Sequence, residues 1–167
     1  MLIDSRKAAT KEERQHISQV SLWEGTEAGA SFFCLNNMLY HLMSRTCEVS
    51  ALLKNKTTLE PRTHGPVPHK IPAFNVERHK TNSMPQVMRV FPHRDNIEFC
   101  PHFSLAYLCV MTESPEDCFF PDFYSKLSNK DQNVQSRTAE LFKLYYKKMC
   151  DVTNKYGKFY CSCSRCS

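Results

Sequence analysis

The sequence predicts a mainly helical α+β domain with a small antiparallel hairpin or sheet, and three observations lead to that prediction. Apolar residues recur every three or four positions in segments 28–44, 101–111 and 134–153, which is the spacing of a helix face. Segments 73–79 and 86–91 alternate between apolar and polar residues, as half-buried strands do. Residues 80–85 between them have the composition of a turn, so the two strands form a hairpin.

Length and composition are those of a single soluble globular domain. The chain has 167 residues, of which 41% are hydrophobic and 23% charged, with only 4 Gly and 9 Pro. No apolar run approaches the roughly 20 residues that span a bilayer. Residues 1–15 are polar and lack the apolar core of a secretory signal, so we expect a nuclear or other intracellular protein that is not secreted.

The chain divides into three parts at its changes of composition. Residues 1–27 form a polar lead-in containing a short helix over 11–20, residues 28–153 the folded domain, and residues 154–167 a disordered, cysteine-rich tail. Within the domain we expect a second helix over 46–54, a proline-rich loop over 57–72 and a packed aromatic patch over 119–124. In the last helix Leu144 belongs to the predicted inner stripe and Lys147 to the outside.

Positive charge is concentrated in one part of the sequence. The net charge is +5, from 22 basic and 17 acidic residues. Residues 54–94 contain only two acidic side chains, Glu60 and Glu77. The same segment contains eight basic side chains: Lys54, Lys56, Arg62, Lys70, Arg78, Lys80, Arg89 and Arg94. This distribution fits a solvated loop surface or a face that binds nucleic acid.

The order of several short motifs resembles the catalytic domain of tyrosine recombinases, in its crypton-type branch. A helix leads into Arg45-x-x-Glu48-Val49-x-x-Leu52, followed by a basic loop and a predicted hairpin that carries His79-Lys80-Thr81. The run Phe91-Pro92-His93-Arg94-Asp95 then precedes Phe99-Cys100-Pro101 and the helix Ser104-Leu105-Ala106-Tyr107-Leu108. The resemblance covers residues 28–148 and depends on the order and spacing of these motifs.

The resemblance implies a phosphate-binding site. In that family a tyrosine hydroxyl attacks a DNA phosphodiester while arginines and a histidine bind the phosphate oxygens and a hairpin lysine protonates the leaving oxygen. Arg45 would be the first of these arginines, Lys80 the acid, and Glu48 the support for Arg45. The implied DNA-binding residues are Lys54, Lys56, Arg78, His79 and Arg94. Considered alone, Arg45 is a helix-junction residue that can pair with Glu48, and Lys80 a surface lysine.

The sequence departs from the family after Lys80. No His-x-x-Arg motif follows it, since Arg94 comes directly after His93 and no histidine follows His102. The late tyrosines, Tyr145, Tyr146, Tyr156 and Tyr160, lie too early to be the nucleophile. We therefore expect a DNA-binding protein that resembles the first half of such a domain and is inactive alone. We expect double-stranded DNA as its partner and no cofactor.

The nine cysteines leave a second interpretation open. Cys34, Cys47, Cys100 and Cys109 lie among apolar residues and are expected to be buried. Cys150, Cys161, Cys163 and Cys166 include a Cys-x-x-Cys pair, so a zinc site with these four thiolate ligands is the weaker alternative to a disordered tail. The chain would then be a small zinc-binding or protein-interaction module without a nucleic-acid role.

Overall fold

The computed structural model describes residues 10–44, 46–62, 69–76, 86–112 and 117–121, together with Leu144, Lys147 and Asp151. Along the chain these residues form the helices α1 (Lys11–Glu24), α2 (Glu27–Leu42) and α3 (Thr46–Ser50), the strands β1 (Thr57–Arg62), β2 (His69–Val76) and β3 (Gln86–Arg89), and the helix α4 (Pro101–Met111). Short 3-10 helices, Lys54–Lys56 and Ile97–Phe99, precede β1 and α4. The prediction of a mainly helical α+β fold with a small antiparallel sheet is confirmed.

Helices α1 and α2 begin and end at recognisable local signals. The hydroxyl of Thr10 accepts the N–H of Glu13 at 3.2 Å, and the Glu13 carboxylate accepts the N–H of Thr10 at 2.9 Å, which is a capping box. Gly25 adopts a left-handed φ of 64° and ends α1. Thr26 then caps α2 through the N–H of Gly29. Helix α1 is longer than the predicted 11–20, and α2 matches the prediction closely.

Helix α2 lies at the centre of the hydrophobic core. It packs against α1 and α4, and its residues Cys34, Leu35 and Met38 are fully buried. The core around them is completed by Val49, Leu52, Phe74, Val76, Val90, Leu108, Phe119 and Phe120. Phe119 and Phe120 are the described aromatic residues of the predicted patch, and their burial confirms that they pack on the core.

The contact between α1 and α2 is close enough to require glycine at position 29. A Cβ atom on Gly29 would lie 2.8 Å from the carbonyl oxygen of Ser21 and 2.9 Å from the carboxylate of Glu24. The first of these atoms is backbone on the neighbouring helix and cannot rotate away. The absence of a side chain at Gly29 therefore sets the distance between the two helices.

Replacing Gly29 with alanine is expected to lower the free energy of unfolding by about 1–3 kcal/mol, the usual cost of overpacking. The measurement is urea denaturation of the purified chain. At an unobstructed helical site the same change adds about 1 kcal/mol, because alanine favours helix more than glycine does. A gain in stability would therefore show that the two backbones are not in contact at this position.

The three strands form one antiparallel sheet in the order β1-β2-β3. Thr57 of β1 lies opposite Phe74, and Val76 of β2 lies opposite Gln86. The predicted pairing of the second and third strands is confirmed, and the connecting residues 80–85 lie outside the described residues. The predicted loop over 57–72 is wrong, because β1 and the first half of β2 fall within it.

The prolines that suggested a loop occupy positions where their missing N–H costs no bond between β1 and β2. Val90 donates its N–H to the carbonyl of Pro72 at 3.1 Å, so the backbone groups of Pro72 point toward β3. Pro72 is therefore a non-hydrogen-bonded position with respect to β1. Leu59 is the partner of Pro72 in β1, so its backbone groups point away from β2. Pro61 lies two residues further along β1, so its nitrogen also points away from β2, out of the open edge of the sheet.

Pro72 also explains why β3 ends at Arg89 rather than at the predicted residue 91. In an antiparallel hydrogen-bonded pair each residue donates to the other, and Pro72 has no N–H to give to Val90. The Val90 carbonyl instead accepts from Nε2 of His102 in α4, at 2.6 Å. A side chain of α4 therefore supplies the donor that the central strand lacks, and connects the helix to the sheet.

A double-mutant cycle tests whether Nε2 of His102 takes the place of the missing N–H of Pro72. His102→Phe keeps an aromatic ring but leaves the Val90 carbonyl without its donor, and should cost about 1–3 kcal/mol of unfolding free energy. Pro72→Ala restores a backbone N–H that can reach the same carbonyl. His102→Phe should then cost less in the Pro72→Ala background, as measured by urea denaturation. Equal costs in the two backgrounds would exclude a shared acceptor.

A buried polar cluster joins α1 to α2. Nδ2 of Asn36 donates to the hydroxyl of Ser18 at 2.9 Å, and that hydroxyl donates to Oδ1 of Asn37 at 2.6 Å. All three side chains are fully buried. Asn36 also donates to the carbonyl of Arg14 at 3.0 Å. Hydrogen bonds thus compensate for the desolvation of these groups.

Of the remaining predictions, some are confirmed and others are wrong. Helix α3 ends at Ser50 instead of residue 54, where a 3-10 helix begins. Cys34 and Cys100 are buried as predicted, whereas Cys109 is exposed on the outer side of α4, and the side chain of Cys47 lies outside the described part. Leu144 has helical backbone but is 66% exposed, so its predicted place in an inner stripe is wrong, while Lys147 is exposed as expected.

Candidate nucleic-acid interface

The structure describes some of the predicted site residues and leaves others outside its described part. Glu48, Lys54, Lys56 and Arg94 are described. Arg45, Arg78, His79 and Lys80 lie outside the described residues, as do the cysteines of the alternative zinc site, Cys150, Cys161, Cys163 and Cys166. The geometry of the candidate site is therefore built from its described members and from the described neighbours of the others.

The segments that carry or flank the predicted site residues come together at one end of the sheet. Because the strands are antiparallel, the start of β1 at Thr57, the end of β2 at Val76 and the start of β3 at Gln86 lie together. We call this the Thr57 end of the sheet. The 3-10 helix with Lys54 and Lys56 directly precedes Thr57, so both lysines belong to this end.

The two lysines sit on an anchored turn. The N–H of Lys54 donates to the carbonyl of Asp117 at 2.6 Å, and Nδ2 of Asn55 donates to the Asp117 carboxylate at 3.4 Å. The side chain of Lys54 is half-buried and that of Lys56 is exposed. These contacts hold the turn that carries both lysines at the start of β1.

The chain just before Arg45 reaches the same end of the sheet. The hydroxyl of Ser44 donates to Sδ of Met88 at 3.3 Å. Met88 is two residues from Gln86, which is about 7 Å along a strand. In the sequence Lys80 falls between Val76 and Gln86, the paired residues at this end. The described neighbours of Arg45 and of Lys80 therefore lie close together.

The segment after β3 packs against the last turn of α2. The ring centroid of His93 lies 5.8 Å from that of His41 and 6.1 Å from that of Phe99. Nε2 of His41 donates to the carbonyl of Phe99 at 2.9 Å. Arg94 follows His93 in the chain and is exposed, so it lies near the region where α2 ends.

Burial lowers the pKa of His41 below its usual range, and the neighbouring His93 and Lys11 act in the same direction, against the hydrogen bond to Phe99, which raises it. Burial therefore favours the neutral form of His41 in the free protein. No sequence pattern indicates this histidine pair, because its members are far apart in the chain and neither has ligand spacing.

Two basic residues of the 54–94 segment are engaged elsewhere. Nε and Nη2 of Arg89 donate to the two carboxylate oxygens of Glu60 at 2.7 and 3.0 Å, across the central strand. Arg62 lies 3.7 Å from the same carboxylate. These hydrogen bonds from Arg89 hold the pKa of Glu60 below its usual range. Part of the positive charge counted from the sequence is thus paired with Glu60 on the sheet.

No family model, curated protein or solved structure matches the chain. Among the described residues no group of three or more His, Cys, Asp or Glu side chains is placed to hold a metal ion. Within the same residues, none of the helices combines the length and apolar character needed to cross a membrane.

Proposed function

We propose that this protein binds double-stranded DNA through the Thr57 end of the sheet, as a module resembling part of a tyrosine recombinase domain. The supporting observation is the contact between Ser44 and Met88. It brings the chain before Arg45 next to the strand that follows Lys80, where Lys54 and Lys56 also lie. Arginine and lysine side chains gathered at one place favour binding of a phosphate backbone.

The proposed activity is binding without strand cleavage. These 167 residues contain no His-x-x-Arg motif after Lys80. The described His93 is packed among aromatic rings, with the exposed Arg94 beside it in the chain. In this proposal Arg45 and Lys80 contribute to affinity for phosphate, and Glu48, in the first turn of α3, supports Arg45.

The test is fluorescence anisotropy with a labelled 20-base-pair duplex across a salt series. Each phosphate contact contributes a slope of about −0.9 to the logarithmic dependence of affinity on salt. Three contacts, by Lys54, Lys56 and Arg94, would therefore weaken binding roughly 40-fold between 50 and 200 mM salt. Contacts by Arg45, Arg78 and Lys80 would steepen that slope. Absence of binding at 25 mM salt would remove the proposal.

A further inference from the structure

The pair of imidazole rings at the end of α2 is the feature that the proposed function leaves unexplained. His41 lies in the last turn of α2, and its ring is enclosed by Tyr40, His93 and Phe99, with ring centroids 5.2–5.8 Å from its own. Both histidines are half-buried. At this distance the His93 ring opposes a positive charge on the His41 ring.

The hydrogen bonds of the pair identify the nitrogen of His41 that can change protonation. Nε2 of His41 donates to the Phe99 carbonyl, so its Nδ1 is the atom that gains a proton. Nδ1 of His93 is buried and has no hydrogen-bond partner among the described residues. Neither ring is hydrogen-bonded to a described carboxylate, so the pair has a site for a proton without a bound counter-charge.

The charged and titratable groups around the pair come from each neighbouring element. Helix α1 contributes Lys11, whose positive charge opposes protonation of His41. Glu98, in the 3-10 helix, accepts from Nε2 of Gln19 at 2.5 Å and is thereby held toward α1. The loop itself holds the exposed Arg94 and Asp95, and the Cys100 sulfur accepts the N–H of His93. The described part of β3 nearby supplies the uncharged Met88.

We propose that His41, in its contact with His93, takes up a proton when DNA binds, so that DNA binding is coupled to pH through this pair. The inference rests on the proposed function, because the counter-charge is a DNA phosphate held by Arg94 beside the pair. A phosphate there stabilises an imidazolium ion that burial and Lys11 otherwise oppose. With about one proton taken up, affinity falls up to about tenfold for each unit of pH increase.

The experiment measures proton uptake directly. A short DNA duplex is titrated into the full chain by calorimetry at pH 6.8, in two buffers that differ in ionisation enthalpy. The difference between the observed heats gives the number of protons bound per duplex bound. His93→Gln and His41→Gln are measured separately, each after circular dichroism has verified its fold. His69→Gln is the matched control, because His69 is half-buried at the opposite end of β2.

We expect uptake of up to about one proton by the unmodified chain and by His69→Gln, and at least a halving in either pair variant. Uptake that persists in both pair variants would assign the proton to another group and overturn the inference. Binding with equal heats in the two buffers would also overturn it, while leaving the proposed function intact. Absence of binding in both buffers would overturn the proposed function as well. If either His41→Gln or His93→Gln does not fold, the proton uptake of the other variant tests the inference.

Discussion

Changing Lys54 and Lys56 together to glutamine should weaken duplex binding about 100-fold at 50 mM salt. The release of condensed counterions is worth about tenfold per phosphate contact at that concentration, and two contacts are removed. Both lysines lie on the turn that precedes Thr57, at the end of the sheet assigned to DNA. The salt dependence should become shallower by about two in logarithmic slope. Fluorescence anisotropy with the same duplex measures both quantities.

The matched control is Lys70→Gln together with Lys147→Gln, which removes the same charge from two exposed lysines of other segments. Lys70 lies at the beginning of β2, about 20 Å along the strand from Val76. The control should change affinity severalfold at most, through net charge alone. An equal loss in both double variants would show that binding depends on overall charge and would reject the Thr57 end as its location.

Phe74→Ala should lower the free energy of unfolding by about 3–5 kcal/mol, the range for removal of a buried aromatic ring. Phe74 is 1% exposed on β2, and its ring meets that of Phe119 edge to face with centroids 5.9 Å apart. The ring joins the sheet to the core around α2, and no small shift can refill its volume. Because native domains have only about 5–15 kcal/mol of stability, this is a large fraction of the total.

Chemical denaturation measures this loss, and Leu59→Ala is its control. Leu59 lies in β1, opposite Pro72 and on the same face of the sheet as Phe74, but its side chain is 59% exposed. Its removal should change stability by less than about 0.5 kcal/mol. A cost below about 0.5 kcal/mol for Phe74→Ala as well would mean that this face of the sheet is not part of the core.

Sequence periodicity predicted the helices well and the sheet only in part. Helix α4 was predictable to its last residue, because Pro101 begins it and apolar residues continue to Met111. Strand β1 was missed because Pro61 indicates a loop when it is considered without a partner strand. A proline removes a backbone hydrogen bond between strands only if its nitrogen points toward the partner strand. The direction of the nitrogen is determined by the register between the strands, which the local sequence does not show.

The candidate site was predictable at the level of residue type but not of position. The concentration of Lys54 and Lys56 near β1 can be read from the sequence, whereas the pairing of Arg89 with Glu60 cannot, since the two residues meet only across β2. The His41–His93 pair likewise depends on the path of the chain after β3. Contacts between distant segments follow from tertiary packing, which local patterns do not encode.

The hydrogen-bonded cluster of Ser18, Asn36 and Asn37 has a consequence for how this sequence can vary. Sliding α1 by one turn would move Ser18 about 5.4 Å and leave both asparagines buried without partners. The cluster therefore selects one docking position for α1, as isolated polar groups do in coiled coils. Each of the three residues is constrained by the other two. Among related chains, these positions should consequently change together, as a covarying set, rather than drift one at a time.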